Sequence, residues 1–262
     1  MYSVFLESTA ADKDLLSAEL WDLGAAGIIE RDLPGGGVEL QAFFPQPVAL
    51  PPAVSGAARW QREAEVDWVR AFQDCWQPFT VGERWFLAPE WRSDPAPPGR
   101  LRLTIYPGRA CGTGWHPATQ LSLIAMETHL EPGETVLDLG AGSGILSQAA
   151  ALLGARRVVA CDIDLEAARI AAQNLAAAPV AVFAGSARAL RSGAVDFTVA
   201  NINSATIVAL VDEIARVTRR CAAVAGFPER DAPHVRAALA RRFEIVGSNE
   251  LDGWVALAGI RR

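Results

Sequence analysis

Apolar positions change their spacing as the chain proceeds, and that spacing divides it into regions. Tyr2 to Leu6 reads as a strand. From Asp12 to Leu23 the apolar residues fall at 15, 16, 20 and 23, a helical stripe ended by Gly24. Ile28–Arg31 and Val38–Phe44 read as two strands around the turn Pro34-Gly-Gly-Gly37. This strand–helix–strand–strand order predicts a small α+β domain over 1–55. Residues 45–58 have prolines at 45, 47, 51 and 52 and no period, which reads as a linker. Asp67 to Trp76 places Trp68, Phe72 and Trp76 on one face of a short helix, and Phe79–Ala88 follows as a strand. Leu101 to Ile105 alternates like a strand, and a helix is expected from Gln120 to Leu130.

From 135 onward the pattern becomes regular. Candidate strands are 135–139, 157–162, 180–183, 195–200, 221–225, 243–247 and 254–259. Candidate helices are 144–153, 165–177, 204–217 and 230–241. Apolar runs alternating with helical patterns predict a doubly wound, mostly parallel sheet of seven strands, a Rossmann-like α/β fold. A ligand of such a sheet binds beyond the carboxyl ends of its strands. The expected domains are 1–55 for recognition, 56–100 as linker and Trp-rich connection, and 101–262 for the cofactor.

Composition sharpens this only in places. The 262 residues are 51% hydrophobic and 21% charged, enough for a sizeable core. Six of the eight tryptophans lie between 60 and 115, and core packing is their first reading. A formal charge of −6 argues against a broad electrostatic grip on nucleic acid, so no direct nucleic-acid partner is expected. The four cysteines are scattered without a CxxC pair, which points away from structural metal and toward a reducing cytoplasm. Neither a secretory leader nor a membrane span is expected from the apolar runs. A monomer is expected.

The chemistry concentrates after the strand at 135. Thr135-Val-Leu-Asp-Leu-Gly-Ala-Gly-Ser-Gly-Ile-Leu146 runs from strand through three alternate glycines into a helix. Such a turn lets a cofactor lie on bare backbone at a helix N-terminus. Ile145 stands where the dinucleotide fingerprint needs its third glycine. Asp162 follows Gly140 by 22 residues, at the end of the next strand, where a carboxylate accepts both ribose hydroxyls of an adenosine. Asp164 is its rival, although helix capping suits Asp164 better. Asn201 ends the fourth strand of the series at the same sheet edge. Together these features point to S-adenosylmethionine more than to a nicotinamide cofactor. Thr119 and His116 lie in the loop before the 120–130 helix; taken alone, Thr119 reads first as a helix cap and His116 as a polar loop residue.

Asp138-Leu-Gly-Ala-Gly-Ser-Gly144 resembles motif I of class I S-adenosylmethionine-dependent methyltransferases. Cys111-Gly-Thr-Gly-Trp-His-Pro-Ala-Thr119 is similar to the F-G-T-G-x-H-x-T-T signature of the ribosomal protein L-eleven methyltransferase family (PrmA type). Val199-Ala-Asn-Ile202 and the small N-terminal domain resemble that family too. Cys111, Ala118, the segment after Ile202 and Gly226-Phe-Pro-Glu229 depart from its pattern. The resemblance implies a ferredoxin-like N-terminal domain that binds ribosomal protein L-eleven. It also implies a C-terminal domain that methylates lysine and α-amino groups. By position it implies cofactor contacts from Thr119, Gly140, Gly142, Asp162 and Asn201. Asn201 is expected to position the amine, and His116 is the candidate base. The loop 107–119 is expected to close over the cofactor. The alternatives are a methyltransferase for another protein lysine or a small molecule, and a non-catalytic module on the same fold.

Overall fold

The computed structural model describes residues 1–9, 12–34, 36–50, 58–62, 73, 76–107 and 114–262. Most of the helix expected over Asp67–Trp76, part of the 45–58 linker and the Cys111-Gly-Thr segment lie outside the described residues. Contacts divide the chain into two units, Met1–Cys75 and Trp76–Arg262.

The first unit is an antiparallel sheet built from β1 (Tyr2–Thr9), β2 (Gly27–Asp32), β3 (Gly37–Phe44) and β4 (Arg59–Arg62), in the order β2-β3-β1-β4. Helix α1 (Lys13–Asp22) turns Leu16 and Leu20 toward Val4, Leu6, Leu40 and Phe44, which are buried on alternate strand positions. With β1 central and joined to β2 through α1, the strand order is that of a ferredoxin-like sheet. This unit reaches past 55, because β4 pairs with β1 from Tyr2↔Arg62 to Phe5↔Arg59. The hydrophobic pattern is silent there. Arg59, Gln61 and Arg62 are exposed on an edge strand, and Trp60 anchors it against Phe44 with ring centroids 5.6 Å apart.

The second unit opens with a three-stranded sheet of β5 (Phe79–Val81), β6 (Trp85–Pro89) and β7 (Leu101–Ile105). The single strand expected over Phe79–Ala88 is therefore two strands. Gly82 breaks it at φ +52°. The Glu127 carboxylate then fills the turn, accepting the backbone N–H groups of Glu83 and Arg84 at 3.0 and 3.1 Å. A Cβ at Gly82 would collide with that carboxylate.

The main sheet has seven strands: β8 (Thr135–Leu139), β9 (Arg157–Asp162), β10 (Val180–Ala184), β11 (Val195–Asn201), β12 (Thr218–Pro228), β13 (Phe243–Leu251) and β14 (Trp254–Arg261). Their order is β10-β9-β8-β11-β12-β14-β13, parallel except for β14, which runs antiparallel to both neighbours. The helices are α2 (Pro117–His129), α3 (Ile145–Leu152), α4 (Leu165–Asn174), α5 (Ser204–Val217) and α6 (Ala232–Ala240). Alternate residues of β8 serve opposite faces. Val136 joins a core with Leu123, Met126, Leu146 and Ala149, while Leu137 and Leu139 join one with Ile207, Val211 and Ile214. A sheet covered on both faces explains why its strands read as nearly unbroken apolar runs.

Candidate active site

The strand order reverses at β8, with β9 and β10 to one side and β11 and β12 to the other. That is the switch point where a doubly wound sheet opens a crevice at its carboxyl edge. Gly140, Asp162 and Asn201 stand at the carboxyl ends of β8, β9 and β11.

The glycine turn is tightly specified. Gly140, Gly142 and Gly144 have φ of +80°, +53° and +84°, a region side chains disfavour. A Cβ at Gly140 would also stand 2.4 Å from Ile202 Cγ2, so a side chain has neither the torsion nor the room. Gly140 N–H and Ala141 N–H both donate to the Cys161 carbonyl, at 2.9 and 3.1 Å. Gly142 N–H donates to Asp162 Oδ2 at 3.0 Å, and Asp164 N–H donates to Asp162 Oδ1 at 3.0 Å. Asp162 thus ties the turn after β8 to the end of β9. Asp164 instead caps α4, accepting Glu166 N–H at 2.9 Å. The two acids that compete in the sequence hold separate posts.

Across the switch point, Asn201 Nδ2 donates to Thr119 Oγ1 at 3.1 Å. Thr119 is buried in the first turn of α2, and its neighbour His116 caps that helix, with Nδ1 accepting Ala118 N–H at 3.2 Å. His116 Nδ1 is thereby the acceptor of the cap, and the ring packs edge-on against Trp254 with centroids 4.4 Å apart. The cap reading made for Thr119 alone therefore belongs to His116. Of the glycine-rich loop, Gly114 is described: at φ +82° it lies where a Cβ would stand 2.3 Å from Leu87 Cδ2.

Two residues of the site were not singled out in the sequence. Asp138 is fully buried in β8, where Ser147 Oγ donates to its Oδ2 at 2.6 Å and its Oδ1 has no hydrogen-bond partner among the described residues. Burial raises its pKa to about 6, opposed in part by Ser147 and reinforced by the charge of Asp162. An acid inside the apolar run Thr135-Val-Leu-Asp-Leu139 was the available signal. Gly226 is the second, at φ +98° in β12. A Cβ there would press on the Ile202 backbone and come within 2.9 Å of Asn201 Oδ1.

A glycine turn at the switch point, an acid one strand over and a polar residue at the end of β11 together define a class I methyltransferase. The solved ribosomal protein L11 methylase from Lactobacillus delbrueckii subsp. bulgaricus is similar to this chain, with TM-score 0.64 and 28% identity over 71% of this chain and 100% of that one. A methyltransferase from Pyrococcus furiosus shares the fold at TM-score 0.50 and 16% identity, covering 59% of this chain and 86% of its own. A family model described as ribosomal protein L11 methyltransferase (PrmA) matches residues 48–262. The ribosomal protein L11 methyltransferase of Burkholderia cenocepacia J2315 is 34% identical over 95% of this chain and 94% of its own length. That of Burkholderia multivorans is 40% identical over 76% of this chain and spans 66% of that relative. The chain belongs to the ribosomal protein L11 methyltransferase family.

Proposed function

We propose that the chain transfers methyl groups from S-adenosylmethionine to lysine and α-amino groups of ribosomal protein L11. The observation that carries this reading is the convergence of Gly140, Asp162 and Asn201 at one switch point, with Asp162 bonded to Gly142 and Asn201 bonded to Thr119. The residues present fit the cofactor. Gly140 keeps bare backbone where a Cβ has no space, and Asp138 offers a buried carboxylate oxygen without a partner among the described residues, suited to an ammonium group. When bound, the cofactor supplies an electrophilic sulfonium methyl; the protein supplies position and desolvation.

Each residue has a distinct role in this reading. Gly140 and Gly142 give the backbone floor, and Asp162 accepts from the ribose hydroxyls while its own two backbone bonds hold it still. Thr119 takes the Asn201 amide N–H, which leaves Oδ1 to accept from the substrate amine. A lysine amine must be neutral to attack, since only that form has the lone pair. His116 is spent on the cap, so we assign proton removal to water. The two described cysteines, Cys161 and Cys221, are buried and unpaired, in keeping with a reducing cytoplasm.

The direct test is incubation of the purified chain with labelled S-adenosylmethionine and free L11, read by mass spectrometry. Mass increments of one methyl group or more on L11 are expected. Cofactor binding without label on L11, but with label on another protein or a small amine, would replace the acceptor and keep the reaction class.

A further inference from the structure

The opposite edge of the main sheet carries a cavity of about 330 Å³ lined by Thr135, Arg156, Arg157, Arg191, Ala194 and Arg219. Thr135, Arg156, Arg157, Ala194 and Arg219 lie within a residue of the starts of β8, β9, β11 and β12, four strands adjacent in the sheet, and Arg191 comes from the turn that leads into β11. A five-residue strand such as β8 separates this edge from the glycine turn by roughly 16 Å. The cavity is thus a separate place from the candidate active site.

Four guanidiniums line it, and few carboxylates answer them. Asp196 pairs with Arg219 at 2.7 Å, and its Oδ2 accepts Thr135 N–H at 2.9 Å. Glu134, beside Thr135, is engaged by Arg220. Arg156 donates to Thr135 Oγ1 at 3.1 Å, a neutral partner. The exposed guanidiniums of Arg157 and Arg191 meet no carboxylate among the described residues. In a chain of net charge −6, this concentration of positive charge runs against the average. Ala194 is the one residue of the lining with a wholly apolar side chain, and the arginines add only their aliphatic stems, so the directed chemistry of the cavity is that of the guanidiniums. Guanidinium forks match phosphate oxygens bidentately, and several together favour a group with more than one negative charge.

We propose that this cavity binds phosphate, supplied either by the phosphodiester groups of RNA or by a free phosphate compound. Arg157 and Arg191 make the direct contacts, since no carboxylate among the described residues competes for them. Arg156 and Arg219, held by Thr135 and Asp196, form the fixed wall.

Calorimetry at low salt tests this with two probes, pyrophosphate and a short single-stranded oligoribonucleotide, on the full chain and on the Arg157→Gln/Arg191→Gln variant. The parent chain should bind at least one probe, and the variant should bind it at least about ten-fold more weakly, because both direct charge-assisted contacts are lost. Thermal unfolding and S-adenosylmethionine binding should be unchanged, since neither arginine holds the fold. Binding of the oligoribonucleotide alone assigns the site to RNA. Equal binding of pyrophosphate assigns it to free phosphate compounds. For RNA, loss of two contacts should reduce the slope of log affinity against log salt by about 1.4. Failure of both probes on the parent chain, or equal affinity in the variant, overturns the proposal.

Discussion

The two edges of the seven-stranded sheet use polar groups in opposite ways. At the carboxyl edge they turn inward. Asp138 is fully buried, Asp162 accepts two backbone N–H groups, and Asn201 is held by Thr119. At the amino edge Arg156, Arg157, Arg191 and Arg219 stand exposed around an open cavity. The first edge fixes shape through torsion and directed hydrogen bonds. The second concentrates charge and leaves much of it unpaired. Removing a partner from a buried polar group costs the desolvation of what is left, whereas an exposed charge is screened by water and salt. Substitutions should therefore have large, salt-insensitive effects at the carboxyl edge and small, salt-sensitive effects at the amino edge.

The largest effect is expected from Asp162→Ala. It removes the proposed ribose acceptor and also frees Gly142 N–H and Asp164 N–H. S-adenosylmethionine affinity should fall about 100-fold, the equivalent of roughly 3 kcal/mol. Calorimetry giving near-parental affinity would break the comparison at its strongest point. Gly140→Ala comes next. A methyl group at φ +80° that meets Ile202 should cost about 2 kcal/mol of stability, read by denaturant unfolding. Asn201→Ala should lower kcat about 30-fold and leave the cofactor KM nearly unchanged, because Asn201 acts on the acceptor amine in the proposed mechanism. A rise in cofactor KM alone would move Asn201 from acceptor to cofactor.

pH separates the two edges by sign. Asp138 sits near the carboxyl end of β8, and burial raises its pKa from 3.8 to about 6. Its native state binds the proton more tightly than the unfolded chain. Its contribution is therefore full below 3.8 and is lost as pH rises through about 6. Asp196 sits at the amino end of β11, where the hydrogen bond from Arg219 lowers its pKa to about 2. Its contribution is present above 3.8 and is lost as pH falls through about 2. Unfolding of the Asp138→Asn variant across these windows should lack the loss on the rising side and keep the loss on the falling side. The difference from parent is up to roughly 3 kcal/mol. Parallel pH curves would show that Asp138 is solvated in the native protein.

How much of this was legible in the sequence follows the same division. The alternation of strands and helices from 135 onward was readable because both faces of the sheet are covered. Gly140, Asp162 and Asn201 could be found as a set because each ends a strand, and a strand end is a visible change of pattern. Edge strand β4 was not readable: its residues face water and carry no period. The split between β5 and β6 was hidden in an apolar run, because Gly82 needs the distant Glu127 to show its purpose. Asp138 was in plain view within motif I, but its missing partner is a property of packing. The arginine cavity was the least legible. Its members come from four separate stretches of the chain, and the net charge of −6 averages them away.

The smallest effect is expected from Arg219→Gln, and it tests the amino edge most sharply. Arg219 pairs with Asp196 at 2.7 Å and donates to the Gly193 carbonyl at 2.7 Å, yet its side chain is 44% exposed. Its loss should cost no more than about 1 kcal/mol, less in high salt. Asp196 keeps the Thr135 N–H and gains water, so its pKa should move back toward 3.8 and the acid-side loss of stability should shrink. Asp196→Ala should cost more, because it strands the Thr135 N–H at the buried start of β8. That order is the expected result: the carboxylate holds the strand, and the guanidinium it positions contributes little to stability. If urea unfolding gave Arg219→Gln the greater cost in both low and high salt, the arginines of this edge would be structural. The contrast between the edges would then be one of exposure alone.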